Sequence, residues 1–148
     1  MSHSSLGAEA TRARGVRSRG VKGGEGSCRW LWLGQASDAS ALVTTVCTGS
    51  ALLARTGRLD GIAATSNKAA FKWVMAQGPK VDWKAEARWV EDGKFMTSSG
   101  VSAGMDMALA AVQRLYGEAE AERVATRTEY DWKRDASWDP FAKIHGLV

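Results

Sequence analysis

The chain has 148 residues, 45% hydrophobic and 24% charged, enough for one globular domain, and no apolar run approaches the roughly 20 residues that cross a bilayer. Its formal charge of +4 sits at one end: residues 1–29 hold six basic and two acidic side chains and residues 30–148 hold 14 of each, so a basic face for nucleic acid is not expected. Two cysteines, Cys28 and Cys47, make no disulfide framework, and His3 and His145, far apart in sequence, argue against a zinc site; a reducing, cytoplasmic setting fits best.

Residues 1–22 combine Ser, Gly and alternating Arg with almost no large apolar side chains. Such a segment cannot offset its chain entropy, so a disordered basic tail is expected, with a weak likeness to an organelle transit peptide. Residues 23–148 are expected to form one domain. Ala41–Val46 (ALVTTV) is short, apolar and β-branched, the pattern of a buried parallel strand. Cys47-Thr48-Gly49 breaks it, Ser50–Thr56 holds helix formers with Arg55 near their end, and Gly57 is placed to stop that helix in a left-handed turn. Gly61–Ser66 predicts a second strand. Ser66 or Asn67 can cap a helix over Lys68–Gln77, with Phe71, Val74 and Met75 on one side and Gly78-Pro79 ending it.

A hairpin follows, Ala87–Val90 and Lys94–Thr97 around Glu91-Asp92-Gly93, whose Asp-Gly favours a tight primed turn. Ser98, Ser99 and Ser102 are suited to satisfy backbone donors at the start of a helix over Ser102–Tyr116, with Met105, Leu109, Val112 and Leu115 at helical spacing. A polar helix runs from Glu118 to about Tyr130, and Trp132, Trp138, Pro140 and Phe141 are expected to pack over the body. Strand, helix, strand, helix, hairpin, helix is an α/β order.

The informative step is the passage from strand to helix at Cys47. A cysteine there is lifted off the carboxyl edge of the sheet, where open α/β sheets bind ligands. The N–H groups and dipole of the helix start favour thiolate over thiol and could hold a developing oxyanion. The plain alternative is a buried core cysteine, common at strand ends.

VCTGSALLARTGRLDG, ATSNKAAF, ARWVEDGKFMTSSGVSAGMDMALAAVQRLYG and EYDWKRDASWDPFA, in that order, resemble the ThiJ/PfpI superfamily over about Val43 to Ala142. That resemblance implies a class I glutamine amidotransferase-like, flavodoxin-like parallel sheet sandwiched by helices, with one β-hairpin, often as a homodimer. It implies Cys47 as nucleophile, acting on a small-molecule substrate with no cofactor and no metal. Its Cys-Thr-Gly elbow is most similar to the isonitrile hydratase branch. There the thiolate adds to the isonitrile carbon to form a thioimidate, and water releases an N-substituted formamide. Thr48 would assist by hydrogen bonding, and Thr48, Gly49 and Gly24, in the Gly23-Gly24-Glu25-Gly26 turn, would supply oxyanion N–H groups.

The sequence departs from the family in three ways. The family's first strand–helix–strand block has no counterpart in residues 1–22, so an N-terminally truncated domain is expected. The acidic proton relay from that block has no equivalent here. Asn67 stands where many relatives carry a histidine. Asp106 matches a position commonly acidic in relatives and is a candidate for support, although an aspartate near a helix start is stabilising in itself. Trp73, Trp83, Trp89, Trp132 and Trp138 could line an apolar cleft or simply fill the core. Three expectations compete: a cysteine enzyme of the isonitrile hydratase type, a catalytically impaired remnant acting by binding, and a redox sensor at Cys47.

Overall fold

The structure, a computed structural model, describes residues 26–148. The 1–22 tail and the Gly24 amide fall outside the described residues. Of the glycine turn before the domain, Gly26 is the first residue of helix α1 (Gly26–Ala39), an element with no amphipathic signature in the sequence. Its last turn is pinned from elsewhere: Arg58 grips Asp38 with two bonds of 2.8 and 2.6 Å, and Lys94 Nζ donates to the Ser37 carbonyl at 2.6 Å.

The α/β order holds: β1 (Val43–Thr45), α2 (Gly49–Ala54), β2 (Ala63–Ala64), α3 (Phe71–Gln77), β3 (Asp82–Trp83), β4 (Trp89–Asp92), β5 (Phe95–Ser98), α4 (Val101–Tyr116), α5 (Glu118–Arg127) and α6 (Phe141–Ile144). One sheet runs β1-β5-β4, with β1 parallel to β5 and β4 antiparallel to it. Strands β2 and β3 pair in parallel as a second small sheet, β3 having no forewarning in the sequence.

The sheet lies between two apolar layers because β5 sends neighbouring side chains to opposite faces, as the twofold period of a strand requires. Phe95 joins Leu53, Ala54, Leu59, Ala64 and Val81 on the α2 side, and Met96 joins Met107, Ala110, Ala121 and Trp132 on the α4–α5 side. Each large side chain buried this way contributes about 1.5–3 kcal/mol.

Several local expectations are corrected. The first strand is half-exposed rather than buried, because β1 is paired on one side only among the described residues. The hairpin turn is displaced by one residue: Asp92 pairs with Phe95, and the two-residue loop is Gly93-Lys94. Gly93 takes φ +56 at its first position while Lys94 stays at negative φ, the pattern of a type II′ turn. Met75 is exposed on α3. On α4 the buried residues are Ala103, Gly104, Asp106, Met107, Leu109, Ala110 and Ala111, so Leu109 is core as expected and Val112 packs partly buried beside it, whereas Met105 and Leu115 face solvent. Helical spacing was correct, but the phase was set by what packs against the helix. The serines do not cap α4; its N-cap is Gly100, without a side-chain bond.

Candidate active site

Cys47 joins β1 to α2 at φ +58, one of two non-glycine residues with positive φ among the described residues. A left-handed conformation costs a residue with a Cβ on the order of 1–3 kcal/mol, so neighbouring contacts must hold it. They are visible. The Cys47 carbonyl accepts Ser66 Oγ at 2.9 Å and Ser50 Oγ at 3.4 Å. The Gly49 N–H closes the turn onto the Val46 carbonyl at 3.0 Å. Val46 in turn seats in the notch left by Gly104 on α4.

The cysteine is half-buried rather than enclosed in the core. Thr48, beside it, is exposed, and its side chain makes no capping bond to α2, so the hydroxyl is uncommitted to the helix. Gly49, expected as an oxyanion donor, has its N–H engaged with Val46. Among the described backbone hydrogen bonds of the elbow, that leaves the Thr48 N–H unspent.

Ser66 and Asn67 lie just beyond Thr65 at the end of β2 and so reach the carboxyl edge of that strand. Asn67 Oδ1 accepts the Ala70 N–H at 3.2 Å, holding the entry to α3. A cavity of about 200 Å³ opens at this edge, bounded by Asn67, Lys68, Arg88, Ser99, Ser102 and His145. Cys47 does not line it, but one contact of the cysteine and one each of Thr45 and Val46 are with residues next to its wall. Ser66 precedes Asn67. Ser98, whose Oγ donates to the Thr45 carbonyl at 3.4 Å, precedes Ser99. Gly104, against Val46, follows Ala103 on the cavity wall.

Asp106 takes no place at the cysteine. It is fully buried; it accepts Arg88 Nε at 2.6 Å and also pairs with Arg88 Nη2, while its other oxygen accepts the Lys133 N–H at 2.8 Å and Tyr130 Oη at 3.1 Å. Burial and the Asp106 charge hold the Tyr130 phenol above its ordinary value. Asp106 therefore anchors the C-terminal segment to α4 and fixes Arg88; taking away one partner of such a buried pair typically costs about 3–5 kcal/mol.

Two wall residues, Lys68 and Arg88, had no functional reading in the sequence. The available signal was a lone basic residue inside each apolar stretch, Asn67-Lys68-Ala69-Ala70 and Ala87-Arg88-Trp89-Val90. The Lys68 ammonium lies 3.1 Å from Asp139 Oδ2, both side chains 1% exposed, and donates to Thr65 Oγ1 at 2.6 Å and the Ala87 carbonyl at 2.9 Å. Burial pulls Lys68 below the ordinary lysine value, against the opposing pull of Asp139. The tryptophans do not form an apolar cleft: Trp89 and Trp132 are core, Trp73 is exposed, Trp83 donates to the Gly78 carbonyl at 2.8 Å, and Trp138 stacks on Arg88.

Residues 31–114 match the DJ-1/PfpI family. The chain is 39% identical over 90 residues to an isonitrile hydratase of Pseudomonas putida, covering 60% of this chain and 37% of that protein. Its fold is similar to a THiJ/PfpI family protein from Pseudomonas syringae, with TM-score 0.62 and 31% identity over 70% of this chain and 42% of the other. Drosophila melanogaster DJ-1beta shares the fold alone, with TM-score 0.62 and 22% identity over 73% and 56% of the two chains. The chain thus spans less than half the length of the two bacterial relatives.

Proposed function

The chain belongs to the DJ-1/PfpI family, and we propose that within it Cys47 is a nucleophile toward a small electrophilic carbon, with hydration of an isonitrile as the reaction. The observation that carries this reading is the left-handed Cys47 between β1 and α2. A strained non-glycine residue at a strand–helix junction is the geometry that presents a nucleophile at a sheet edge. The 39% identity to an isonitrile hydratase supports the substrate class.

In this chemistry the Cys47 sulfur forms a bond to the terminal isonitrile carbon, which takes up a proton to give a thioimidate. Water adds to that carbon, the carbon–sulfur bond breaks, and an N-substituted formamide leaves with the thiolate restored. One isonitrile and one water are consumed per formamide. Thr48, through its N–H and hydroxyl, is the elbow residue placed to hydrogen-bond the adduct. Gly49 serves the turn itself, and Asn67 offers its amide nitrogen from across the edge. A homodimer is the assembly this reading favours, checked by sedimentation at micromolar concentration.

The test is incubation of the purified chain with a small alkyl isonitrile, with formamide followed by NMR. Turnover that disappears in Cys47→Ser supports the reading. A folded chain with no turnover, or equal turnover in Cys47→Ser, overturns it. A non-catalytic binding role is the second reading, favoured by the single-sided pairing of β1 among the described residues and by exposed Leu31 and Trp32 on α1. It predicts a folded protein without turnover.

A further inference from the structure

One buried hydroxyl from outside the elbow is committed to it. A carbonyl oxygen can only accept, so the 2.9 Å contact spends the Ser66 hydroxyl hydrogen on the carbonyl of Cys47, 19 positions away. Ser66 is 0% exposed, which shields that bond from competition by solvent. Ser50 reaches the same oxygen from within the turn, but at 3.4 Å, a weaker contact. Ser66 is itself held in a rigid frame. Its neighbour Thr65 gives its N–H to Thr97 Oγ1 of β5 at 2.8 Å and its hydroxyl to the Lys84 carbonyl at 2.7 Å, and both threonines are buried. The serine therefore meets Cys47 from a segment anchored independently of the elbow.

Fixing that carbonyl fixes more than the cysteine. The C=O of Cys47 and the N–H of Thr48 belong to one planar trans peptide, in which they point in opposite directions. With the oxygen drawn toward buried Ser66, the Thr48 N–H is turned away from it. That N–H is the elbow amide left without a backbone acceptor, whereas the Gly49 N–H is spent on Val46. Rotation of the 47–48 peptide would carry the Thr48 N–H to the buried side, and the Ser66 bond stands against that rotation.

We propose that Ser66 is a positioning residue of the site: by holding the Cys47 carbonyl it keeps the Thr48 N–H free to hydrogen-bond the group that adds to the Cys47 sulfur. This role rests on Cys47 being the nucleophile. It assigns the aim of the elbow's donor to a side chain that touches neither sulfur nor substrate.

Two reagents applied to the intact chain separate this role from plain structural support. p-Nitrophenyl acetate transfers its acetyl group to sulfur through a tetrahedral oxyanion and releases p-nitrophenolate. Iodoacetamide forms a sulfur–carbon bond as iodide leaves, with no oxyanion. Rates at Cys47 and at the exposed Cys28 are read separately by peptide mass spectrometry, and the acylation-to-alkylation ratio cancels differences in thiol reactivity. Deleting an oxyanion donor outright costs about 10²–10³ in rate, so loosening its aim in Ser66→Ala is expected to lower the ratio at Cys47 about tenfold and leave that at Cys28 unchanged. Ser66→Thr, which keeps the hydroxyl, should hold the parent ratio. A merely structural serine would move both reagents together; an unchanged ratio in Ser66→Ala, or a threonine variant as impaired as alanine, overturns the proposal. The parent chain gives a check that needs no variant. By NMR, the Thr48 amide should be protected from hydrogen exchange at least about tenfold less than the Gly49 amide, which is bonded to the Val46 carbonyl. Equal protection of the two overturns the proposal as well. Isonitrile turnover with an unchanged ratio in Ser66→Ala removes this inference and leaves the nucleophile standing. A fallen ratio without turnover removes the hydratase reading and keeps Ser66 in its role.

Discussion

A Cβ on Gly104 would lie 2.6 Å from Val46 Cγ1, so helix α4 and the residue immediately before Cys47 fill each other's space. The long helix behind the sheet thereby sets the height of the elbow. The contact links two segments 58 positions apart and gives the absent side chain at 104 a role in shaping the cysteine's surroundings.

Gly104→Ala is expected to push Val46 and drag Cys47 with it. Overpacking of this kind costs about 1–3 kcal/mol, read from chemical denaturation. Alkylation of Cys47 by iodoacetamide should change while that of Cys28 does not. If stability and both rates match the parent, α4 does not support the elbow. The double variant Gly104→Ala with Val46→Ala should recover part of the loss, since the clashing methyls are gone.

Cys47→Gly and Cys47→Ala both delete the sulfur but differ in backbone freedom. At φ +58 alanine keeps the left-handed penalty and glycine escapes it, by roughly 1–2 kcal/mol. Glycine's greater unfolded-chain entropy returns about 0.5–1 kcal/mol of that. The glycine variant is therefore expected to be at least as stable as the alanine variant, by urea denaturation. A clearly less stable glycine variant would mean that the elbow is not strained.

The Lys68–Asp139 pair predicts a rise of stability with pH. Burial lowers Lys68 from 10.5 in the folded chain, so between that lowered value and 10.5 the unfolded chain binds more protons than the folded one. Stability then increases with pH through that window, because the cost of burying the ammonium is progressively relieved. Measurement below pH 10 avoids Tyr130, whose raised phenol value works in the opposite sense above it. The increment should vanish in Lys68→Met with Asp139→Leu, which replaces both charges. That double variant should be near the parent in stability at neutral pH, whereas Lys68→Met alone should lose about 3–5 kcal/mol by stranding the carboxylate. A flat profile in the parent would show that Lys68 is not desolvated.

Local patterning by itself determined the α/β order, the strand–cysteine–helix junction, the hairpin and the left-handed stop at Gly57, which takes φ +76. These depend on residues within a few positions of one another, where backbone sterics and hydrogen-bond spacing leave few choices. Only the tertiary structure decided which side of α4 is buried, that Asp106 anchors Arg88 instead of serving the cysteine, and that Lys68 is closed over by Asp139, 71 residues later. Periodicity specifies the spacing of a helix face but not its phase. A charge can be buried only where a partner from elsewhere in the chain arrives to meet it, and that meeting is a property of the packed layers.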